Sequence, residues 1–128
     1  MSQPSAPADC IFCRIVAGEI PATVVAESER SLAFRDLNPQ APTHVLVVPK
    51  RHLVDASTVD AEDGADVADL VVTAQRVAAG EGIAERGYRL VFNVGRDAGN
   101  SVPHLHLHVV GGQPLPWPPW AGSSGVPK

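Results

Sequence analysis

The sequence predicts an α+β domain: a mostly antiparallel five-stranded sheet with one long helix and a short N-terminal helix, the helices gathered on one face. Three observations carry that prediction. Five short strand-like segments are set apart by turn-forming residues. A single long stretch changes to helical periodicity. At 128 residues the chain is long enough for one sizeable core and not for two.

In chain order, IFCRIVAGEIP reads as a short helix or turn ending near Gly18 and Pro21. TVVAES and SLAFRD follow as short strands, with polar residues between them suited to a hairpin. THVLVVP is a third strand, rich in β-branched residues and stopped by Pro49. From Asp60 the period changes, and Val67, Leu70, Val71, Ala74, Val77 and Ala78 recur at helical spacing. Asp60, Glu62, Asp63 and Asp66 crowd the start of this segment, where the helix dipole favours anions, and the helix is expected to end near Gly80 or Gly82. YRLVFNV returns to strand, GRDAGNSVP is a glycine-bearing loop, and HLHLHVV is the last strand. GGQPLPWPPWAGSSGVPK is too rich in proline for regular structure and reads as an extended arm over a surface. The domain organisation that follows is a disordered polar tail over 1–9, one folded domain over 10–112 and a Pro/Trp-rich arm over 113–128.

Composition excludes several classes of function. A formal charge of −4 with no basic run argues against nucleic acid or an anionic membrane as the main partner. The opening MSQPSAPAD lacks the basic-then-apolar pattern of a signal peptide, and no apolar run approaches a membrane span. Two cysteines three residues apart are too few and too close for a secreted disulfide framework, so the expected compartment is cytoplasmic.

The chemistry concentrates in SVPHLHLHVVGG, which holds three of the five histidines at every second position. Side chains alternate across a strand, so His104, His106 and His108 share one face while Leu105, Leu107 and Val109 share the other. A polar face that merely happens to carry histidine is the plain alternative, and three in phase after a Gly/Asn/Ser loop weigh against it. A three-histidine metal site is a second alternative. Same-face residues on one strand stand about 6.5 to 7 Å apart, however, which lets two imidazoles converge on an ion more readily than three. The third alternative fits better: one neutral imidazole acts as nucleophile while its neighbours and the Gly99-Asn100-Ser101 loop grip a phosphate.

His104-Leu-His106-Leu-His108-Val-Val is similar at all seven positions to the signature of the histidine triad (HIT) superfamily. CIFCRIVAGEIPA, LAFRDLNPQAPTHVLVVPKRH, NVGRDAGNSVPHLHLHVVGG and WPPW resemble successive blocks of its Hint branch, the histidine triad nucleotide-binding proteins, in a bacterial type that carries CxxC. The resemblance runs from Cys10 to Trp120. It implies an edge-paired homodimer that hydrolyses purine nucleoside phosphoramidates. His106 would attack the α-phosphorus to form a nucleotidyl-histidine intermediate, and water would release the nucleoside monophosphate. His108 and Ser101 would hold phosphate oxygens or the leaving group, Asn93 and Gly99 would help to position them, and His44 would be a proton partner behind the triad. Asp36 would accept hydrogen bonds from the ribose hydroxyls. Phe12, Ile15, Ile20, Phe34 and Leu37 would wall the base pocket, although each is also an ordinary core residue. On residue type alone Asp36 equally opens the turn into Asn38-Pro39, Ser101 can simply form a turn, and Asn93 can satisfy neighbouring backbone. The arm extends beyond the short ending typical of the branch, and Trp117 and Trp120 are expected to pack on a surface.

Two other functional classes stay open. One is a dinucleoside polyphosphate hydrolase of the Fhit type using the same triad, against which the WPPW arm argues. The other is a nucleotide-sensing or scaffold protein with vestigial turnover. Cys10 and Cys13 make a separate question, because nothing before them reads as the strand that a thioredoxin-like redox motif needs. A structural zinc requires four ligands, and no second CxxC exists, so histidines would have to complete the set. The resemblance implies that these are His52 and His104, with the metal remote from the phosphorus chemistry and stabilising the fold more than turnover. The alternative is a reduced, metal-free cysteine pair.

Overall fold

The computed structural model describes residues 9–119. Its elements are α1 (Ile11–Val16), β1 (Val24–Glu27), β2 (Ser31–Arg35), β3 (Thr43–Pro49), α2 (Gly64–Glu81), β4 (Tyr88–Val91) and β5 (Leu107–Gly111). The five strands form one sheet in the order β1-β2-β3-β5-β4, and every pairing is antiparallel. The α+β class, the five strands, the long helix and the short N-terminal helix are those the sequence predicts.

The helices do not share a face. Ala33, Val45, Val47, Leu107 and Val109 point to α2 and form one core with Leu70, Ala74, Val77 and Ala78. Leu32, Phe34, Leu46 and Val48 point the other way and pack under α1 with Cys10, Phe12 and Cys13. The physical reason is β3: all seven of its residues are buried, so the unbroken run THVLVVP needs a cover on both sides.

Helix α2 begins at Gly64, four residues after Asp60. The acidic segment ahead of it forms a 3-10 turn closed by a capping box, in which Asp60 accepts from the Glu62 amide and Asp63 accepts from the Asp60 amide. Gly82, in the left-handed region at φ 74°, ends the helix, while Gly80 lies within it. Among the predicted core positions Val71 is instead 37% exposed, and Asp66 and Thr73 take the buried stripe.

Both strands flanking the loop are shorter than predicted. β5 starts at Leu107, leaving His104 and His106 ahead of the ladder. The rung after Val47–Leu107 would fall on Pro49, which has no N–H to give, and the Leu105 amide donates to the Leu53 carbonyl instead. β4 ends at Val91, opposite His108, and Phe92 to Val94 lie beyond the paired ladder. The inside-outside alternation nevertheless continues back through 104–107, with Leu105 and Leu107 in the α2 core. The arm is met by the Arg89 side chain of β4, which donates to the Pro116 carbonyl and whose guanidinium lies 5.8 Å from the Trp117 ring. Trp120 and the tail over 1–8 lie outside the described residues.

Candidate active site

A cleft of about 280 Å³ opens on the α1 side of the sheet. His106 and His108 form part of its wall, with Asp36, Asn93, Gly99 and Ser101. Phe12, Ile15, Ile20, Phe34 and Leu37 supply apolar lining, so every residue expected to touch substrate borders one cavity. Leu37 is almost fully exposed at the rim. The sequence reading passed over Ile11, Pro21, Ala22, Arg35, Leu46 and Val102, which also line it. Leu46 was recoverable in principle, since it alternates with the buried Val45 and Val47, but its place opposite His108 depends on strand register.

Hydrogen bonds fix the protonation of each ring. His106 Nδ1 lies 2.8 Å from the His104 carbonyl oxygen, which only accepts, so Nδ1 carries a proton and in the neutral ring the lone pair sits on Nε2. His44 is buried, and its Nδ1 accepts from the Gln40 amide at 3.0 Å, leaving the proton on Nε2. That Nε2–H donates to His108 Nδ1 at 2.9 Å, with an Asp36 oxygen 3.5 Å away. His108 is therefore a donor at Nε2, which stands 3.4 Å from Asn93 Nδ2; a hydrogen bond between them requires the Asn93 amide turned to present its oxygen. The two rings facing the cleft thus offer opposite functions, a lone pair at His106 and an N–H at His108.

Burial keeps His108 and His44 neutral. Desolvation, reinforced by the neighbouring His106 and His44, pushes the His108 pKa down from 6.5 to about 4 against the opposing pull of Asp36. Desolvation also lowers His44 more than the Asp36 carboxylate raises it, so the His44–Asp36 contact is not an ion pair at neutral pH. His44 does not line the cleft and stands behind His108, its diagonal neighbour across the β3–β5 pair. One Asp36 oxygen accepts from the Asn38 amide in a turn, as one reading of the sequence expects, and the residue also lines the cleft.

A second cluster lies deeper. Cys10, Cys13, His52 and His104 bring four ligand atoms within 4.8 Å of one another, and together they could hold a metal ion. His104 Nδ1 is 3.3 Å from Cys10 Sγ, 3.4 Å from Cys13 Sγ and 3.1 Å from His52 Nδ1; His52 Nδ1 is 3.2 Å from Cys13 Sγ. The His104 Nε2–H donates to the Pro49 carbonyl at 2.9 Å, which leaves Nδ1 with its lone pair facing the sulfurs. Burial lowers the His104 pKa to about 4 and pushes the Cys13 thiol, next to Cys10, up to about 12. None of the four lines the cleft. Asp36, His44 and His108 form another group able in principle to approach an ion.

The fold and the triad geometry define a class that comparison with known proteins identifies. The HIT domain model matches residues 17–115, and the chain belongs to the HIT family. An uncharacterized HIT-like protein of Synechocystis is 49% identical over 111 residues, covering 87% of this chain and 96% of the relative. The crystal structure of a HIT family hydrolase from Legionella pneumophila has a TM-score of 0.84 at 50% identity, covering 87% of this chain and 99% of that one. A histidine triad protein from Clostridium difficile has a TM-score of 0.84 at 43% identity, covering 88% and 97%. A histidine triad nucleotide-binding protein from Candida albicans aligns at 30% identity with a TM-score of 0.72, over 79% and 73%.

Proposed function

We propose that this chain is a hydrolase that cleaves purine nucleoside phosphoramidates through a nucleotidyl-His106 intermediate. The observation that carries the reading is the 2.8 Å bond from His106 Nδ1–H to the His104 carbonyl, which leaves a nucleophilic Nε2 at the cleft. A neutral imidazole approaches an anionic phosphate without adding charge. In the first step Nε2 forms a bond to the α-phosphorus as the P–N bond breaks, and the departing amine takes up a proton. In the second, water attacks phosphorus, the P–Nε2 bond breaks, and the nucleoside monophosphate leaves with His106 restored.

The remaining residues supply positioning and charge stabilisation. The His108 Nε2–H is aimed to donate to a phosphate oxygen, and His44, whose Nε2–H donates to His108 Nδ1 while its Nδ1 accepts from Gln40, holds that tautomer. Asn93, Gly99 and Ser101 border the place a phosphate would occupy, and Asp36 offers a carboxylate to the ribose diol at the rim. The apolar walls suit a flat base. The chain is expected to act in the cytoplasm as a homodimer; no helix among the described residues is long and apolar enough to cross a membrane.

The Cys–His cluster suits zinc as a structural metal. Ligands at the usual Zn–S and Zn–N lengths of about 2.3 and 2.0 to 2.1 Å place sulfur and nitrogen about 3.5 Å apart in a tetrahedron, and two nitrogens about 3.3 Å apart. The observed separations of 3.2 to 3.4 Å and of 3.1 Å are close to these. Zinc there would tie the chain together, and the proposed hydrolysis requires no cofactor.

The test is turnover of adenosine phosphoramidate against diadenosine polyphosphate, with products identified, together with acid-sensitive trapping of a labelled nucleotidyl adduct. Preferred cleavage of the phosphoramidate and an adduct on His106 support the reading. Faster cleavage of the dinucleotide transfers the assignment to a polyphosphate hydrolase, and absence of any adduct removes the covalent step.

A further inference from the structure

We propose that the Cys10–Cys13–His52–His104 centre sets the position of α1, and through Phe12 the affinity of the cleft for nucleotide, so that metal and nucleotide binding are coupled. This rests on the nucleotide and metal readings above. Helix α1 is one wall of the cleft, contributing Ile11, Phe12 and Ile15. At six residues it is too short to hold its shape alone, so its tertiary ties decide where it sits. Its backbone hydrogen bonds all close within the segment: Arg14 N–H to Cys10, Ala17 N–H to Cys13, Gly18 N–H to Ile15 and Glu19 N–H to Arg14. Among the described residues, the hydrogen-bond-range contacts that tie residues 10–22 to the rest of the protein are those of the two sulfurs with His52 and His104. The other tie is apolar packing on Leu32, Phe34, Leu46 and Val48. Packing of this kind is non-directional and tolerates a slide, whereas four ligand directions converging on one ion do not.

Phe12 lies between the two cysteines in sequence and carries the position of the centre into the cleft. Its ring meets the His106 ring edge to face at 5.1 Å, the His104 ring at 5.9 Å and the Phe34 ring at 5.6 Å. His104 makes a second link, because its Nδ1 faces the sulfurs while its carbonyl holds the His106 Nδ1–H. Fixing the centre therefore fixes both a wall of the base pocket and the ring that would attack. The four ligands themselves stay out of the cleft, so the effect on the base pocket is read directly as nucleotide affinity, without turnover.

Coupling between two sites is reciprocal, and a typical coupling corresponds to roughly a 5- to 150-fold change in affinity. The full-length chain, zinc-loaded or stripped with a chelator, is titrated with adenosine monophosphate by calorimetry, with circular dichroism recording the folded state. Zinc is then competed against a chromogenic chelator with and without saturating adenosine monophosphate. The expected result is about tenfold weaker nucleotide binding after stripping and an equal tightening of zinc by nucleotide. Phe12→Leu should keep its zinc yet lose most of both shifts. Should the stripped chain unfold, loading with the larger cadmium ion replaces stripping, and a changed nucleotide Kd in that folded protein supports the coupling. Equal nucleotide affinities in all folded metal states, or a full shift retained in Phe12→Leu, would overturn the coupling alone. A loaded chain that binds no nucleotide, or a chain that holds no zinc, would overturn the underlying reading and the coupling with it.

Discussion

Acid should destabilise this protein through His108 by an amount its surroundings set. His108 sits between His44 and His106, with Asp36 and Asn93 nearby, and its pKa falls from 6.5 to about 4 because burial disfavours the charged ring. The unfolded chain takes up this proton below pH 6.5 while the folded chain refuses it until about pH 4. Stability linked to His108 is thus complete above pH 6.5 and is lost progressively down to pH 4, where the loss levels off. A difference of roughly 2.5 pH units at about 1.4 kcal/mol each comes to about 3 kcal/mol, a substantial part of the stability of a domain this size. Urea unfolding of wild type and His108→Gln at intervals from pH 7.5 to 4 reads this directly. The gap between the two should be constant above pH 6.5 and should shift by about 3 kcal/mol against wild type by pH 4. Taking the difference removes the contribution of His104, which titrates in both proteins, while His44, hydrogen-bonded to His108, contributes to the gap that is read. Parallel curves across the whole range would refute the reasoning, and a gap that opens only above pH 6.5 would reverse its sign.

Five further outcomes are expected. His106→Asn keeps polarity and approximate size without a nucleophilic nitrogen, so the protein should fold, bind nucleotide and lose turnover by about 10⁴-fold or more; near-normal rates in steady-state assays would exclude covalent catalysis. Protein purified without chelator should hold about one zinc per chain by elemental analysis. Replacing both Cys10 and Cys13 by serine should abolish that zinc and lower the thermal midpoint while leaving measurable hydrolysis. Leu70→Ala, at a fully buried position between α2 and the sheet, should cost about 3 to 4 kcal/mol in urea unfolding. Sedimentation at micromolar concentration should show a dimer, as the open edges β1 and β4 invite pairing; a monomer alone would count against the edge-paired arrangement.

The histidine pattern, the long helix and the strands were legible in the chain because they depend on local geometry. A two-residue repeat places His104, His106 and His108 on one side whatever surrounds them, and that alternation outlasts the hydrogen-bonded ladder, which starts only at Leu107. Pro49 and Gly82 likewise act through their own backbone chemistry, one ending a run of rungs and the other closing a helix. The apolar run Val45–Pro49 of β3 is a sign of burial on both faces, whereas the α+β class expectation sets both helices on one side. Which helix covers which face is decided by the pairing of Phe34 with Leu46 and of Leu32 with Val48, and these contacts join segments with no shared periodicity.

The tautomers were beyond any reading of residue types, because they depend on which atom each ring nitrogen meets. Gln40 reaches His44, His44 reaches His108 only through the register that sets Leu46 opposite His108, and the His104 carbonyl turns inward where the ladder has ended. The four metal-binding candidates show the same division. The sequence by itself determined that Cys10 and Cys13 lie one helical turn apart and that His104 faces the side away from the α2 core. Bringing His52 within 3.2 Å of Cys13 across 39 residues, and seating Phe12 against His106, was decided only when both faces of β3 were covered, since long-range contacts of this kind come from burying a whole sheet and not from any local preference.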